Sequence, residues 1–556
     1  MNITKYVFDS YIKNEHKQQE NSIINDYHIL RKKVPFGTKH LIFGNLVNRP
    51  LKLGDIQEGV THLTFGDCFD QPLEKGVIPD GVTHLTFGQD FDQPLSEGVI
   101  PNSVTHLTLA YRFNYTLEKG VIPEGVTNLI FGYCFNRPIS EGVIPNSVIH
   151  LTFGCCFNQI LHQGYIPEGV THIIFGAWFN TPLSKGVIPK SAIHLTFGDF
   201  FNTPLSKGDI PEGVTHLTFG YDFNQFLTKG VIPDWVTHLT FGYRFSWYLK
   251  KGVIPNSVTH LTFGYCFNPR LPKGVIPNSV THLTFGYHFN QPLPKGVIPN
   301  SVRHLIFGCY FNQHLPKGSI PDGVTHLTFG DRFNYALSLK PNILTRIFFP
   351  KNKSILPDSI THLTFGYYFN MPLSEGDILK GVKHLTFGYY FYQPLKKGVI
   401  PEGVTHLTFG YSFNSSLSEG VIPNSVTHLI LGYNFDYPLN ISNNIRYLVL
   451  GDFFNHPIDL LNNVTHLVLG RRFNKSITNI PDGIFLIDTS KMDYIFKTYE
   501  YQPSYYDPII DKNIKNFIYN GHNKQIFLDE LVRRYIHPIK ICKYLELYGD
   551  DYDDFI

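Results

Sequence analysis

The sequence predicts a mainly β fold, a solenoid of about 21–22 short coils whose strands stack into a parallel sheet. Three observations predict it. The heptad VTHLTFG at 82–88 returns unchanged at 214–220, 236–242, 258–264, 280–286, 324–330 and 404–410, with near copies in most of the gaps. Its histidine recurs every 22 residues, at His40, His62, His84 and His106, then from His150 to His326 with Asn128 standing in once. Between heptads the chain is punctuated by Gly and Pro, which break helices and favour turns.

Within a unit, VTHLTF alternates and is rich in β-formers, so it reads as a strand. Alternation places Leu85 and Phe87 on one face and His84 and Thr86 on the other. The remainder, through F-N-x-P-L-x-x-G-V-I-P, is expected to be extended backbone with tight turns. Stacked rungs sit about 4.8 Å apart. The array covers 35–487. Residues 1–34 are expected to cap one end and 488–556 the other, both partly helical, the latter with an acidic tail. Caps are needed because an open end exposes core and unpaired strand. The register breaks near 335–357, where LTRIFF reads as a surviving strand with Arg346 in the histidine place and a shortened return, so a kink or notch is expected there. It resumes at His362, His384, His406 and His428, then takes two 19-residue steps to Tyr447 and His466, with a last weak copy near 483–488.

The 556 residues carry 47 Lys and Arg against 45 Asp and Glu, a net charge of +2. That balance gives no reason to expect nucleic acid or an anionic membrane as partner. The first twenty residues lack the apolar core of a signal peptide, and no apolar run is long enough to span a bilayer. Seven cysteines without a spaced framework point to a reducing, intracellular setting, with the cytoplasm as the expected compartment.

The Phe of each FN pair (Phe135, Phe179, Phe289) is expected to stack inside the coil. The Asn after it (Asn136, Asn180, Asn290) is expected to satisfy backbone groups at the bend. The Gly closing the strand (Gly88, Gly132, Gly220) is expected to turn through unusual dihedrals, not to cradle phosphate, since no copy contains GxxxxGK. The histidine column reads as a polar hydrogen-bonding stripe. One straight column cannot supply the three or four converging ligands that Zn²⁺ requires, so no metal and no cofactor is assigned. Stacked imidazoles are expected to resist protonation.

FNRP (135–138), FNTP (179–182 and 201–204), FNQP (289–292) and FNMP (369–372), each following FG-x-x and preceded by GVIPxSVTHLTFG, carry a resemblance. The unit resembles the FNIP repeat, a leucine-rich-repeat-like unit of amoebae and of giant viruses that infect them. The literal string Phe-Asn-Ile-Pro does not occur. The resemblance implies an LRR-like coil and, for a viral protein, residence in the host cytoplasm. Some family members carry an F-box before the array and recruit substrates for ubiquitin ligation. No convincing F-box pattern is visible in residues 1–34, which leaves that adaptor role as the alternative function.

The two residues after FG vary from copy to copy. They are enriched in Tyr and Arg, types that dominate interface hot spots. In an LRR-like coil the strand end borders the open sheet face, so this column is the candidate protein-binding surface. The candidates are Tyr111, Arg112, Trp178, Tyr221, Tyr243, Arg244, Tyr287, Tyr310, Tyr367, Tyr368, Tyr389, Tyr390 and Tyr411. The plain alternative is unconstrained solvent positions, and alternation does not say which member of each pair faces out. Six of the seven cysteines fall in the same pairs, with Cys134 and Cys156 one coil apart; free thiols are expected. No clustered carboxylates mark a sheet face for acid–base chemistry, so no catalytic residue is assigned and no small-molecule substrate is evident. The expected function is a non-enzymatic scaffold for protein–protein interaction.

Overall fold

The computed structural model describes residues 5–7, 37–339, 353–440, 444–460, 463–479 and 484–488; for 5–7, 339, 353 and 485–488 only the backbone is described. The chain divides into two units, Met1–Thr328 with Ile355–Ile360 and Phe329–Ser354 with Thr361–Ile556. No helix occurs among the described residues. The helices expected in the two caps lie outside them. Within 1–34 the described segment, Lys5–Val7, is a strand that pairs in parallel with His40–Ile42.

The first unit holds fourteen three-residue rungs, from His40–Ile42 to His326–Thr328, each paired in parallel and in register with the next. The second holds seven described rungs, from His362–Thr364 to Phe485–Asp488. The chain is a parallel β-solenoid. Its rungs show the predicted phase: His84 and Thr86 are half-exposed, and Leu85 between them is buried. Val82, Phe87 and Phe91 complete a core that repeats coil after coil. The Phe column is fully buried from Phe69 to Phe454, with Phe135 and Phe157 stacked at 6.2 Å. A second Phe column lies against it, Phe131 to Phe135 at 4.6 Å. Burial of each such ring contributes about 1.5–3 kcal/mol, repeated along the array.

The Asn column does what its chemistry suggests. Asn136 Oδ1 accepts the backbone N–H of Asn158 at 2.9 Å, and Asn158 Oδ1 accepts that of Asn180 at 2.9 Å. Each side chain thus satisfies the bend of the following coil, 22 residues on.

The strand-closing glycines are required for a different reason from the one expected. Gly88, Gly132 and Gly220 are not among the positive-φ residues. Instead, a Cβ on Gly88 or Gly220 would overlap the backbone carbonyl of the preceding coil's glycine, Gly66 or Gly198; on Gly132 it would meet the carbonyl of Ala110. Glycine fills the column, with Ala110 as the exception among the described residues, because successive backbones approach too closely there for a larger side chain. Left-handed backbone occurs one arm later. Gly98, φ +83°, sits third in the turn Ser96–Val99, closed by Val99 N–H donating to Ser96 O at 3.2 Å, as a type II turn demands.

The break near 335–357 falls within one 36-residue step of the stack. Phe329 N–H donates to Thr364 O, Tyr368 N–H to Asp331 O, and Asn370 N–H to Asn334 Oδ1, so 329–334 stacks directly on 364–370 across a 36-residue step. Arg346 and the rest of LTRIFF lie outside the described residues. Within that step Ser338–Leu339 pairs antiparallel with Lys353–Ser354. The 19-residue coils keep the stack. Tyr447 replaces histidine between His428 and His466, with ring distances of 4.1 and 4.3 Å.

Candidate functional site

The strand end is set by two neighbours. Before it, the close-packed glycine fixes the backbone. After it, the buried Phe anchors the bend. The pair between them is held by a bond from its second residue to the first residue one coil back, as in Arg244 N–H to Tyr221 O at 2.8 Å. Both members consequently reach solvent, which alternation alone did not reveal because the glycine interrupts it.

First-position tyrosines align into ring columns. Tyr221, Tyr243, Tyr265 and Tyr287 stack at 4.2, 4.2 and 4.3 Å. In the second unit Tyr367, Tyr389, Tyr411 and Tyr433 stack at 4.5 Å each. Tyr111 stacks on Tyr133 at 4.5 Å. Second-position residues flank these columns. Tyr368 and Tyr390 form their own stack at 5.3 Å, and Tyr310 leans on Tyr287 at 5.1 Å. Arg112 pairs with Asp90 at 3.3 Å and Arg244 with Asp222 at 3.1 Å, the latter also lying 5.6 Å from the Tyr221 ring centroid. Trp178 stands apart from the tyrosines, 56% exposed and edge-on to Phe200. The structure therefore gathers the thirteen predicted positions into strand-end columns of both units, not into one compact patch.

Tyr243, Tyr287, Tyr367 and Tyr389 in these columns are held protonated, their phenols raised above the usual range. Partial burial, then the adjacent Tyr389 and Tyr390 rings, raises the Tyr367 phenol, and Tyr389 is pushed up to about 12 by burial and Tyr411. A hydrogen bond with Cys309 leads in raising Tyr287. The face thus offers uncharged rings and hydroxyls over the whole ordinary pH range, a surface suited to apolar and hydrogen-bonding contact.

Sequence reasoning missed a cluster around FSWYL (245–249), where the F-N-x-P-L pattern lapses. Phe226 meets Trp247 edge-on at 6.0 Å and Tyr248 at 5.7 Å, and Lys250 Nζ lies 5.6 Å from the Phe226 ring centroid. Trp247, Tyr248, Cys266, Asn268 and Pro269 border an open recess of about 410 Å³. The lapse itself, Trp-Tyr in place of x-Pro, was the available signal.

The histidine face is ordered. Rings stack at 4.1 Å from His40 to His62 to His84, and where Thr precedes the histidine its hydroxyl meets Nδ1, as Thr61 Oγ1 to His62 Nδ1 and Thr83 Oγ1 to His84 Nδ1, both at 3.0 Å. That hydroxyl also lies 3.1 Å from the Thr61 carbonyl one coil back. His172 and His282 are lowered to about 4, first by burial and second by the neighbouring imidazoles. Burial therefore outweighs the like-charge effect expected from stacking alone. Among the described residues no three His, Cys, Asp or Glu side chains converge on a metal position. The six described cysteines are free thiols; Cys156 is raised by burial and then by Cys134 and Cys155.

Stacked parallel rungs, a one-residue-wide polar ladder and an exposed strand-end face define a leucine-rich-repeat-like β-solenoid, a class typical of protein–protein interaction scaffolds. The FNIP Repeat family model matches residues 47–88, 69–112, 113–156, 157–200, 201–234, 223–266, 267–310, 311–352, 350–390, 369–412, 391–434 and 413–443. The chain belongs to the FNIP repeat family. Among solved structures it is similar to CroV588, described as a novel circular LRR protein, from a giant virus, with 40% identity and a TM-score of 0.74. The match covers 82% of this chain and 66% of that one, so this chain spans just under two thirds of that protein's length. YopM from Yersinia enterocolitica WA-314 is 12% identical, with a TM-score of 0.37 over 81% of this chain and 85% of that one, too distant a likeness to argue from. No curated protein sequence matches the chain. No helix among the described residues is long and apolar enough to cross a membrane.

Proposed function

We propose that the chain is a non-enzymatic scaffold that binds a protein partner along its tyrosine-lined strand-end columns. The observation that carries this reading is the alignment of Tyr221, Tyr243, Tyr265 and Tyr287 into one exposed-edge stack, repeated at Tyr367, Tyr389, Tyr411 and Tyr433. Pre-stacked rings lose little side-chain freedom on association, which favours binding. Arg244, held on Tyr221 and Asp222, supplies a positioned cation at the same edge. The setting is intracellular, the host cytoplasm for a viral chain, where free thiols persist.

The test is affinity capture from amoebal lysate, read by mass spectrometry. The native chain is compared with one carrying Tyr243→Ser, Arg244→Ala, Tyr287→Ser, Tyr367→Ser and Tyr389→Ser. Partners lost with the substitutions support the reading. Partners retained by both chains move binding off these columns, and ubiquitin-ligase subunits among those lost point to the adaptor role.

A further inference from the structure

The turn before each left-handed glycine carries a column of its own. From Lys75 to Glu141 it alternates, Lys75, Glu97, Lys119, Glu141, and in the second unit it alternates again, Glu375, Lys397, Glu419. Between those stretches it does not. Lys185, Lys207, Lys229, Lys251, Lys273 and Lys295 occupy six successive coils, all exposed, and the next coil adds Lys317. Each stem leans over the following turn's glycine, with Lys207 Cδ 3.4 Å and Lys251 Cε 3.5 Å from where a Cβ would stand on Gly230 and Gly274. The missing side chain seats the stem and leaves the ammonium groups in a row outside it.

No ion pair neutralises this row among the described residues. None of the six lysines from Lys185 to Lys295 forms a salt bridge with a described carboxylate. Asp209, beside the row, is buried and occupied by the Ser206 N–H at 2.6 Å. The residue preceding each lysine is Ser184, Ser206, Thr228, Lys250, Pro272 or Pro294, which adds a further cation and no anion. At the next corner Asn256, Asn278 and Asn300 are uncharged and Lys190 adds a cation, while Glu212 and Asp234 are exposed carboxylates that form no salt bridge with the row. Rungs about 4.8 Å apart place like charges close enough to repel. The chain's near-neutral total hides this concentration.

We propose that the Lys185–Lys295 row is a docking surface for an extended acidic segment of a protein partner. The row is one lysine wide and advances one coil at a time along the stack, so it fits a single extended chain carrying carboxylates, not the two phosphate rows of a duplex. Single-stranded nucleic acid needs ring faces on which bases stack. The nearby Tyr221–Tyr287 rings spend their faces on one another at 4.2–4.3 Å. Phe226, Trp247 and Tyr248, beside Lys250, provide one apolar anchor at a fixed place along the row. This surface extends the scaffold reading by giving its partner a charge, and it shares no residue with the tyrosine columns.

The experiment uses fluorescence anisotropy with a labelled oligoglutamate and an oligothymidylate of equal charge, on the full chain at low and physiological salt. The variant is Lys207→Glu, Lys251→Glu, Lys295→Glu, which recreates the alternation native to 75–141. A Lys→Gln version at the same positions guards against misfolding. The native chain is expected to bind oligoglutamate in a salt-sensitive manner and each variant to lose at least about tenfold in affinity. Oligoglutamate binding absent from the native chain, or equal in all three proteins, overturns the proposal. Tighter binding of oligothymidylate than of oligoglutamate also overturns it, in favour of nucleic acid. Because all three proteins keep Tyr243, Tyr287 and Arg244, failure here leaves the strand-end reading to stand or fall on its own capture experiment.

Discussion

Two stretches of the first unit, the coils from Lys75 to Glu141 and those from Lys185 to Lys317, share one interior and differ in what they show to solvent. Phe91 and Phe245 are equally buried, and bend asparagines bridge successive coils in both, as at Asn136 N–H to Asn114 Oδ1 and Asn202 N–H to Asn180 Oδ1. Outside, the earlier stretch alternates Lys and Glu at the turn and holds two stacked tyrosines, Tyr111 and Tyr133. The later one is all lysine at the turn and stacks four tyrosines. The histidine column is broken by Asn128 in the first and is unbroken from His172 to His304 in the second. Nearest-neighbour stacking explains the division: each coil needs only the one before it, so solvent columns are free to change without touching the core.

The comparison breaks most violently at the glycine column. Gly220→Val drives a side chain into the Gly198 carbonyl, and Gly88→Val does the same against Gly66. Each is expected to cost about 4 kcal/mol or more and to abolish hydrogen-exchange protection of the adjoining coils. Ala110 stands in this column, so valine is the discriminating choice. Phe135→Ala and Phe289→Ala are expected to cost about 3–5 kcal/mol each, equally in both stretches, measured by denaturant melts. Unequal costs contradict a shared interior.

A subtler difference lies at the bend. Ser246 interrupts the asparagine column, where Ser246 N–H still finds Asn224 Oδ1 at 3.1 Å but offers Asn268 no amide oxygen in return. Asn158→Ala, in the unbroken part, is expected to lose about 1–3 kcal/mol, whereas Ser246→Asn is expected to gain about 0.5–1.5 kcal/mol. Thermal melts of both chains check the signs.

The histidines set the pH dependence. His172 and His282 are held near 4 in the fold against 6.5 when free. The unfolded chain therefore binds more protons between those values. Their contribution is fully present above about pH 6.5 and is lost progressively as pH falls toward 4. Melting temperature is expected to be flat in this contribution above pH 7 and to drop below 6.5. His172→Asn with His282→Asn shallows that slope. The smallest stability effect belongs to the surface: Tyr243→Ser is expected to cost only about 0.5–1.5 kcal/mol of ring stacking, while removing partner affinity. A large stability loss without a binding loss marks the column as framework.

Most of the fold was legible in one chain because the repeats compare themselves. Period, strand phase at Leu85 and Phe87, and the roles of Phe135 and Asn136 all follow from local alternation and side-chain chemistry. What escaped depends on stacking. Gly88 looked like a turn residue because nothing local shows the neighbouring coil's carbonyl above it. The direct stacking of 329–334 on 364–370 is a long-range pairing that no local pattern announces. At the candidate site, the residue types of the strand-end column were readable, but their ring-on-ring alignment and the solvent exposure of both members were not. The lysine row was written in the sequence and averaged away in a net charge of +2.

The measurement that tests the central claim most directly is site-specific photocrosslinking. A benzophenone amino acid is placed at position 390, in the strand-end column of the second unit, and separately at position 386 on the histidine–threonine face of the same coil. The account predicts a partner adduct from 390 and none from 386. An adduct from 386 alone, or equal adducts from both, contradicts the assignment of binding to the tyrosine columns.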